Sequence, residues 1–147
     1  MTEIGFYHLT RTPLHQALPA LLARTLAQSV RAVVRAGDAE RVAALDDALW
    51  ASPEHDWLPH GTARMGHGAL QPIWLTDGDD VPNGATFLFL TDGASCAAPE
   101  DFARVFDLFD GTDEAALTAA RLRFVSARSA GHSVSYWKQG GRGWEKG

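Results

Sequence analysis

Apolar residues along this 147-residue chain fall into short runs and into longer stretches of helical spacing, and the two kinds alternate from the N-terminus onward. Residues 4–9 (Ile-Gly-Phe-Tyr-His-Leu) predict a short buried strand. Across 13–28, Leu14, Leu18, Leu21, Leu22 and Leu26 recur on one helix face, with Pro19 an early irregularity. A second strand is predicted over 31–35 around Val33 and Val34. A second helix over 39–50 follows, with Asp38 as its cap and Val42, Leu45 and Leu49 facing one way. Residues 51–71, rich in Pro, Gly and His, read as a long loop. Strands come next at 72–76, 86–90 and 104–109; the run at 86–90 is apolar on both faces and therefore central. Thr112, with Asp113 and Glu114 in the first turn, starts a third helix that runs to about Ala130 and stops at Gly131. Residues 133–138 predict a sixth strand, and 139–147 a flexible end.

Strands alternating with helices predict an α/β fold: a three-layer, Rossmann-like architecture with a mostly parallel central sheet of about six strands, in one domain of residues 1–138. Such a fold hosts many functions, so chemistry must be sought in the residues. No apolar run approaches the roughly 18 residues of a membrane span. The start, Met-Thr-Glu-Ile-Gly-Phe-Tyr, lacks the basic and apolar segments of a secretion signal. The single cysteine, Cys96, allows no internal disulfide, and a cytoplasmic protein without a membrane partner is expected.

Tests for catalysis come out negative. A dinucleotide fold needs glycines directly after its first strand, so that backbone amides can approach phosphate. That turn here, His8-Leu9-Thr10-Arg11-Thr12-Pro13, has none, and no P-loop motif occurs. His55, His60 and His67 share a loop with Glu54 and Asp56, but their spacings fit no pattern that aims ligands at one metal ion. The sequence identifies no base to activate Cys96 as a nucleophile, and no Ser-His-Asp arrangement can be assigned. No cofactor, no metal and no catalytic residue are expected.

Charge changes the picture. From Arg121 onward there are six basic residues against the single acid Glu145, whereas the first 120 residues carry seven basic and seventeen acidic side chains. The formal charge of −5 thus conceals a basic end, which suits a localised surface for an anionic partner. A solvated helix in an Arg-preferring chain, with eleven Arg and two Lys, is the alternative.

Three stretches in order resemble the chi subunit family of the bacterial DNA polymerase III holoenzyme. They are Gly5-Phe6-Tyr7-His8-Leu9; Leu45-Asp46-Asp47-Ala48-Leu49-Trp50 with Trp57-Leu58-Pro59-His60-Gly61; and Ala120-Arg121 through Ala130-Gly131 with Tyr136-Trp137-Lys138. Pro82-Asn83-Gly84-Ala85 and Asp107-Leu108-Phe109-Asp110-Gly111 fit as well. The resemblance implies a non-catalytic adaptor that joins the clamp loader, through the psi subunit, to the acidic, Phe-ending C-terminal tail of single-stranded DNA-binding protein. Contact with single-stranded DNA would then be mainly indirect.

By that resemblance the tail site comprises Arg121, Phe124, Val125 and Arg128, with Trp50 and Trp57 at positions that help wall the family's pocket; core filling is the competing reading for both tryptophans. At 100° per residue Arg121, Phe124 and Arg128 fall within about 60° of one another, with Val125 beside them and Arg123 pointing away. Val125 replaces a lysine of the family's best-known members, so binding should persist with a shallower salt dependence. The psi-contacting face is not identified: Phe87, Phe89, Phe102, Phe106 and Phe109 serve it or the core. Two other classes remain: direct binding of single-stranded DNA through Arg121, Arg128, Lys138 and Trp137, and a small Rossmann-like enzyme.

Overall fold

The computed structural model describes residues 2–51, 58–140 and 143–147. Eight strands and three α-helices occur among them: β1 (Glu3–Leu9), α1 (Leu14–Ala27), β2 (Ala32–Arg35), α2 (Ala39–Ala51), β3 (His60–Thr62), β4 (Ile73–Thr76), β5 (Phe87–Leu90), β6 (Arg104–Asp110), α3 (Glu114–Ser129), β7 (Ser133–Gly140) and β8 (Gly143–Lys146). They form one sheet in the order β3-β4-β2-β5-β6-β1-β7-β8. Every neighbouring pair is parallel except β7 with β8.

All six predicted strands and all three predicted helices are present, with ends displaced by a residue or two. The strand count is corrected from six to eight. The first addition, β3, is His-Gly-Thr inside the stretch expected to be a loop; it is buried and pairs with β4, but offers no apolar run to announce it. The second, β8, lies in the 139–147 segment expected as a flexible end. It pairs antiparallel with β7 because Trp144 and Lys146 alternate onto the side occupied by Trp137.

Strand alternation divides the interior into two apolar clusters. Tyr7, Val34, Phe89 and Phe106 join Leu18 and Leu22 of α1 and Leu45 and Leu49 of α2 in one. Phe6, Val33, Leu88 and Val105 join Ala120 of α3 in the other, with Leu117 and Phe124 at its margin. Phe87, Phe89, Phe102, Phe106 and Phe109 are all buried, so core filling accounts for them.

Local chemistry sets the helix ends. Asp38 Oδ1 accepts the Arg41 amide at 2.9 Å, as the sequence predicted for α2. For α3 the cap is Asp113 rather than Thr112: its Oδ1 accepts from Ala115 and Ala116, while Thr112 is held by Asp110. Gly131, at φ +89°, closes α3 in the left-handed region; its amide meets Arg128 O, and the His132 amide meets Ala127 O.

The glycine-free turn after β1 is organised by one distant side chain. The backbone amides of Thr10, Arg11 and Thr12 donate to Gln139 Oε1 at 2.9, 2.8 and 3.1 Å. Gln139 Nε2 donates in turn to Thr12 Oγ1 at 2.6 Å. An amide oxygen from β7 therefore gathers three successive backbone amides at the carboxyl end of β1.

Candidate docking surfaces

Helix α3 lays Leu117, Ala120, Phe124 and Ala127 onto the second cluster. Phe124 is half-buried, with its ring centroid 5.3 Å from Phe6 and 6.3 Å from Tyr136. Arg123 turns from this surface to the sheet, where Nε and Nη2 donate to the Asp107 carboxylate at 2.7 and 2.9 Å. Burial pushes the Asp107 carboxyl above its ordinary range, against the pull of the Arg123 hydrogen bonds and charge. This pair pins the helix to β6.

Arg121 and Arg128 project to solvent, and neither forms an ion pair with a carboxylate among the described residues. Between them Val125 is 60% exposed, and Leu122, not singled out in the sequence, is 69% exposed. Two residues from β7 complete the patch. The Tyr136 hydroxyl hydrogen-bonds His8 Nδ1, and the exposed Lys138 sits one strand step further on the same face. Burial lowers the His8 pKa and raises that of Tyr136; the charge of Arg121 reaches both groups, and Lys138 reaches His8. Strand parity was the available signal for Tyr136 and Lys138, because both share the side of Val134.

Trp50 is elsewhere. It ends α2, which packs on β3, β4 and α1, at the far edge of the sheet from β7 and in the cluster opposite α3. Trp50 is 53% exposed, and its ring centroid lies 4.2 Å from that of His60. His60 is buried and held on both nitrogens, by Leu58 O at 2.7 Å and Asp46 Oδ1 at 2.8 Å. The six-residue site is therefore divided: Arg121, Phe124, Val125 and Arg128 share one surface, Trp50 is on another, and Trp57 lies outside the described residues. Trp137 is also parted from Arg121, Arg128 and Lys138, since it stacks on Tyr7 across the sheet, at 6.3 Å and 13°.

A crevice of about 680 Å³ opens outside the carboxyl ends of β1 and β6, where ligands of open α/β sheets bind. Arg11, Arg41, Asp92, Asp110 and Asp113 line it with mixed charge, beside the amides already taken by Gln139. Among the described residues no three His, Cys, Asp or Glu side chains converge as metal ligands. No helix of the described residues is long and apolar enough to cross a membrane.

Residues 1–135 match the family model described as DNA polymerase III chi subunit, HolC. The chain belongs to that family. It is 26% identical over 109 residues to the probable DNA polymerase III subunit chi of Rickettsia prowazekii (strain Madrid E), an alignment covering 72% of this chain and 66% of that relative. The chain thus spans just under two thirds of the curated relative's length. Tyr136 to Gly147, including Gln139 and β8, come after the residues matched to the family model.

Proposed function

We propose that this chi-family chain is a non-catalytic, cytoplasmic adaptor in DNA replication, and that α3 docks the acidic, Phe-ending tail of single-stranded DNA-binding protein. The observation that carries this reading is the pair of exposed guanidinium groups, Arg121 and Arg128, bracketing Phe124 and Val125 without an internal carboxylate. A tail carboxylate would meet a planar donor fork, and a phenyl ring would meet the Val125 surface. Lys138 and Tyr136 extend the site on the β7 side. The split of the apolar interior between α1 with α2 and α3 supports the Rossmann-like layering, and the Gln139 bonds support a fold used without nucleotide.

An adaptor needs two surfaces that do not overlap. The exposed Trp50 ring, on a rigid His60–Asp46 base and remote from α3, is the second. We assign it to the psi subunit and, through psi, to the clamp loader, because half-exposed tryptophans on rigid supports make good interface anchors.

Titration of a tail peptide tests the first surface. Arg121→Ala and Arg128→Ala are each expected to weaken binding about tenfold, the effect of losing one charge-assisted contact. Val125→Lys should tighten it and steepen its salt dependence. Unchanged affinity in both alanine variants removes α3 from the reading. For the second surface, Trp50→Ala should lose psi in a pull-down while keeping the peptide affinity; loss of both together would refute separate surfaces.

A further inference from the structure

Trp137 lines a cleft on the side of the sheet away from α3. On the α1 side of β1, β6, β7 and β8, this cleft of about 280 Å³ is lined by Tyr7, Phe106, Trp137, Trp144, Arg24 and Arg104, among others. Tyr7 forms its floor, stacked with Trp137 and meeting Trp144 nearly perpendicularly at 5.0 Å. Both tryptophans are half-buried, so each keeps part of its indole open. The Arg104 guanidinium lies 4.6 Å from the Phe106 centroid and 5.5 Å from that of Phe87. Lys146 Nζ lies 5.9 Å from the Trp137 ring.

Among the described residues Arg24, Arg104 and Lys146 form no ion pair with a carboxylate. Glu3 is the acid whose charge reaches Tyr7, against the charges of Arg104 and Arg24. Glu145, between Trp144 and Lys146, pairs in register with Lys138 on the other side of the sheet. Arg24 and Arg104 thus line the cleft beside two open indoles, Lys146 lies near the Trp137 ring, and Glu3 is the one acid whose charge reaches Tyr7.

We infer that this cleft binds single-stranded nucleic acid, taking a base against Trp144 and Trp137 and the adjoining phosphates on Arg24, Arg104 and Lys146. Aromatic faces combined with a cationic track are the chemistry of sequence-tolerant strand binding. The volume is at the lower bound of small-molecule pockets, which suits one base with its phosphate rather than a folded peptide segment. Such a contact is short, so the acidic remainder of the chain need not follow the strand. It is also separate from α3, on the opposite side of the sheet. Trp144 and Lys146 lie beyond the residues matched to the family model, so the cleft is built partly from the chain's own C-terminal strand.

The test uses the full chain and an oligothymidylate of about eight nucleotides, within the usual site size of a strand-binding module. Tryptophan fluorescence should be quenched at low salt. Between about 50 and 200 mM salt the affinity should fall with a slope of roughly 0.7 per phosphate neutralised. Trp144→Ala should weaken binding about tenfold or more. Arg24→Glu, an exposed change on α1 that keeps the test valid if the Trp144 variant unravels β8, should weaken binding and flatten the slope. Arg121→Ala should leave oligonucleotide binding intact while weakening the tail peptide, which separates this site from the one on α3. The inference is overturned by any of four results. These are no quenching at low salt, loss on Arg121→Ala but not on Arg24→Glu, thymidine monophosphate binding as tightly as the oligonucleotide, or displacement of nothing but an acidic peptide from the cleft.

Discussion

Replacing Arg123 by alanine is expected to cost about 3–5 kcal/mol of folding stability, the usual penalty for leaving one member of a buried ion pair alone. Asp107 is 3% exposed, and both of its carboxylate oxygens are engaged by Arg123 and by no other side chain among the described residues. The native carboxyl already holds its proton more firmly than an unfolded one, because burial outweighs the guanidinium. Its contribution therefore favours folding in acid and is lost as pH rises through the native-state value. Arg123→Ala deletes both influences that hold this value down, so the window of lost stability extends to higher pH. Denaturant melts at pH ~5 and ~8 should show a clearly smaller deficit at the lower pH. Adding Asp107→Asn to the variant should restore most of the loss near neutrality, since an amide is far cheaper to bury than a lone carboxylate. A deficit that is equal at both pH values, and unmoved by the second change, would mean the pair is not what fixes α3 to β6. Because that anchor sets the rotation of the helix, the same variant should also weaken the tail peptide, whose contacts are Arg121 and Arg128.

The elements that could be read from the chain were those whose burial shows on every residue. Phe-Leu-Phe-Leu at Phe87–Leu90 is buried throughout and pairs on both sides, so its apolar run and its central place are one fact seen twice. His-Gly-Thr at His60–Thr62 is buried just as fully, yet it earns its place through backbone pairing and the His60 bonds, which leave no apolar signature. That Arg121, Phe124 and Arg128 lie on one side of α3 followed from helix geometry alone. What stands beneath them did not, because Arg123 and Asp107 belong to different elements and meet only when α3 packs on β6. The distance between Trp50 and α3 was hidden for a related reason: a resemblance tells which residues accompany one another in sequence, whereas the topology decides which face of the sheet each helix covers. For Trp137 and Lys138 the answer was available locally, since adjacent strand residues point to opposite sides.

Gln139→Ala is expected to lower stability by roughly 2–3 kcal/mol, at net worths of about 0.5–1.5 kcal/mol per hydrogen bond. Four bonds depend on the amide group: three backbone amides meet Oε1, and Nε2 meets the Thr12 hydroxyl. The Arg11 amide lies at the surface and can turn to water, so its share of the loss is the smallest. Thr10 and Thr12 are partly buried and would be left with poorly satisfied donors. The turn they form leads into α1, whose N-cap is Pro13 and provides no side-chain acceptor for the first free amides. Gln139→Glu separates the roles of the two ends of the side chain. A carboxylate accepts the three amides more strongly, and nothing donates to Thr12, so its stability should stay within about 1 kcal/mol of the parent. In the alanine variant, sulfate should raise the melting temperature more than it does in the parent, because an oxyanion can collect the released donors. If Gln139→Ala instead melts with the parent, the convergence of three amides on one oxygen is incidental, and the turn owes its shape to β1 and α1 alone.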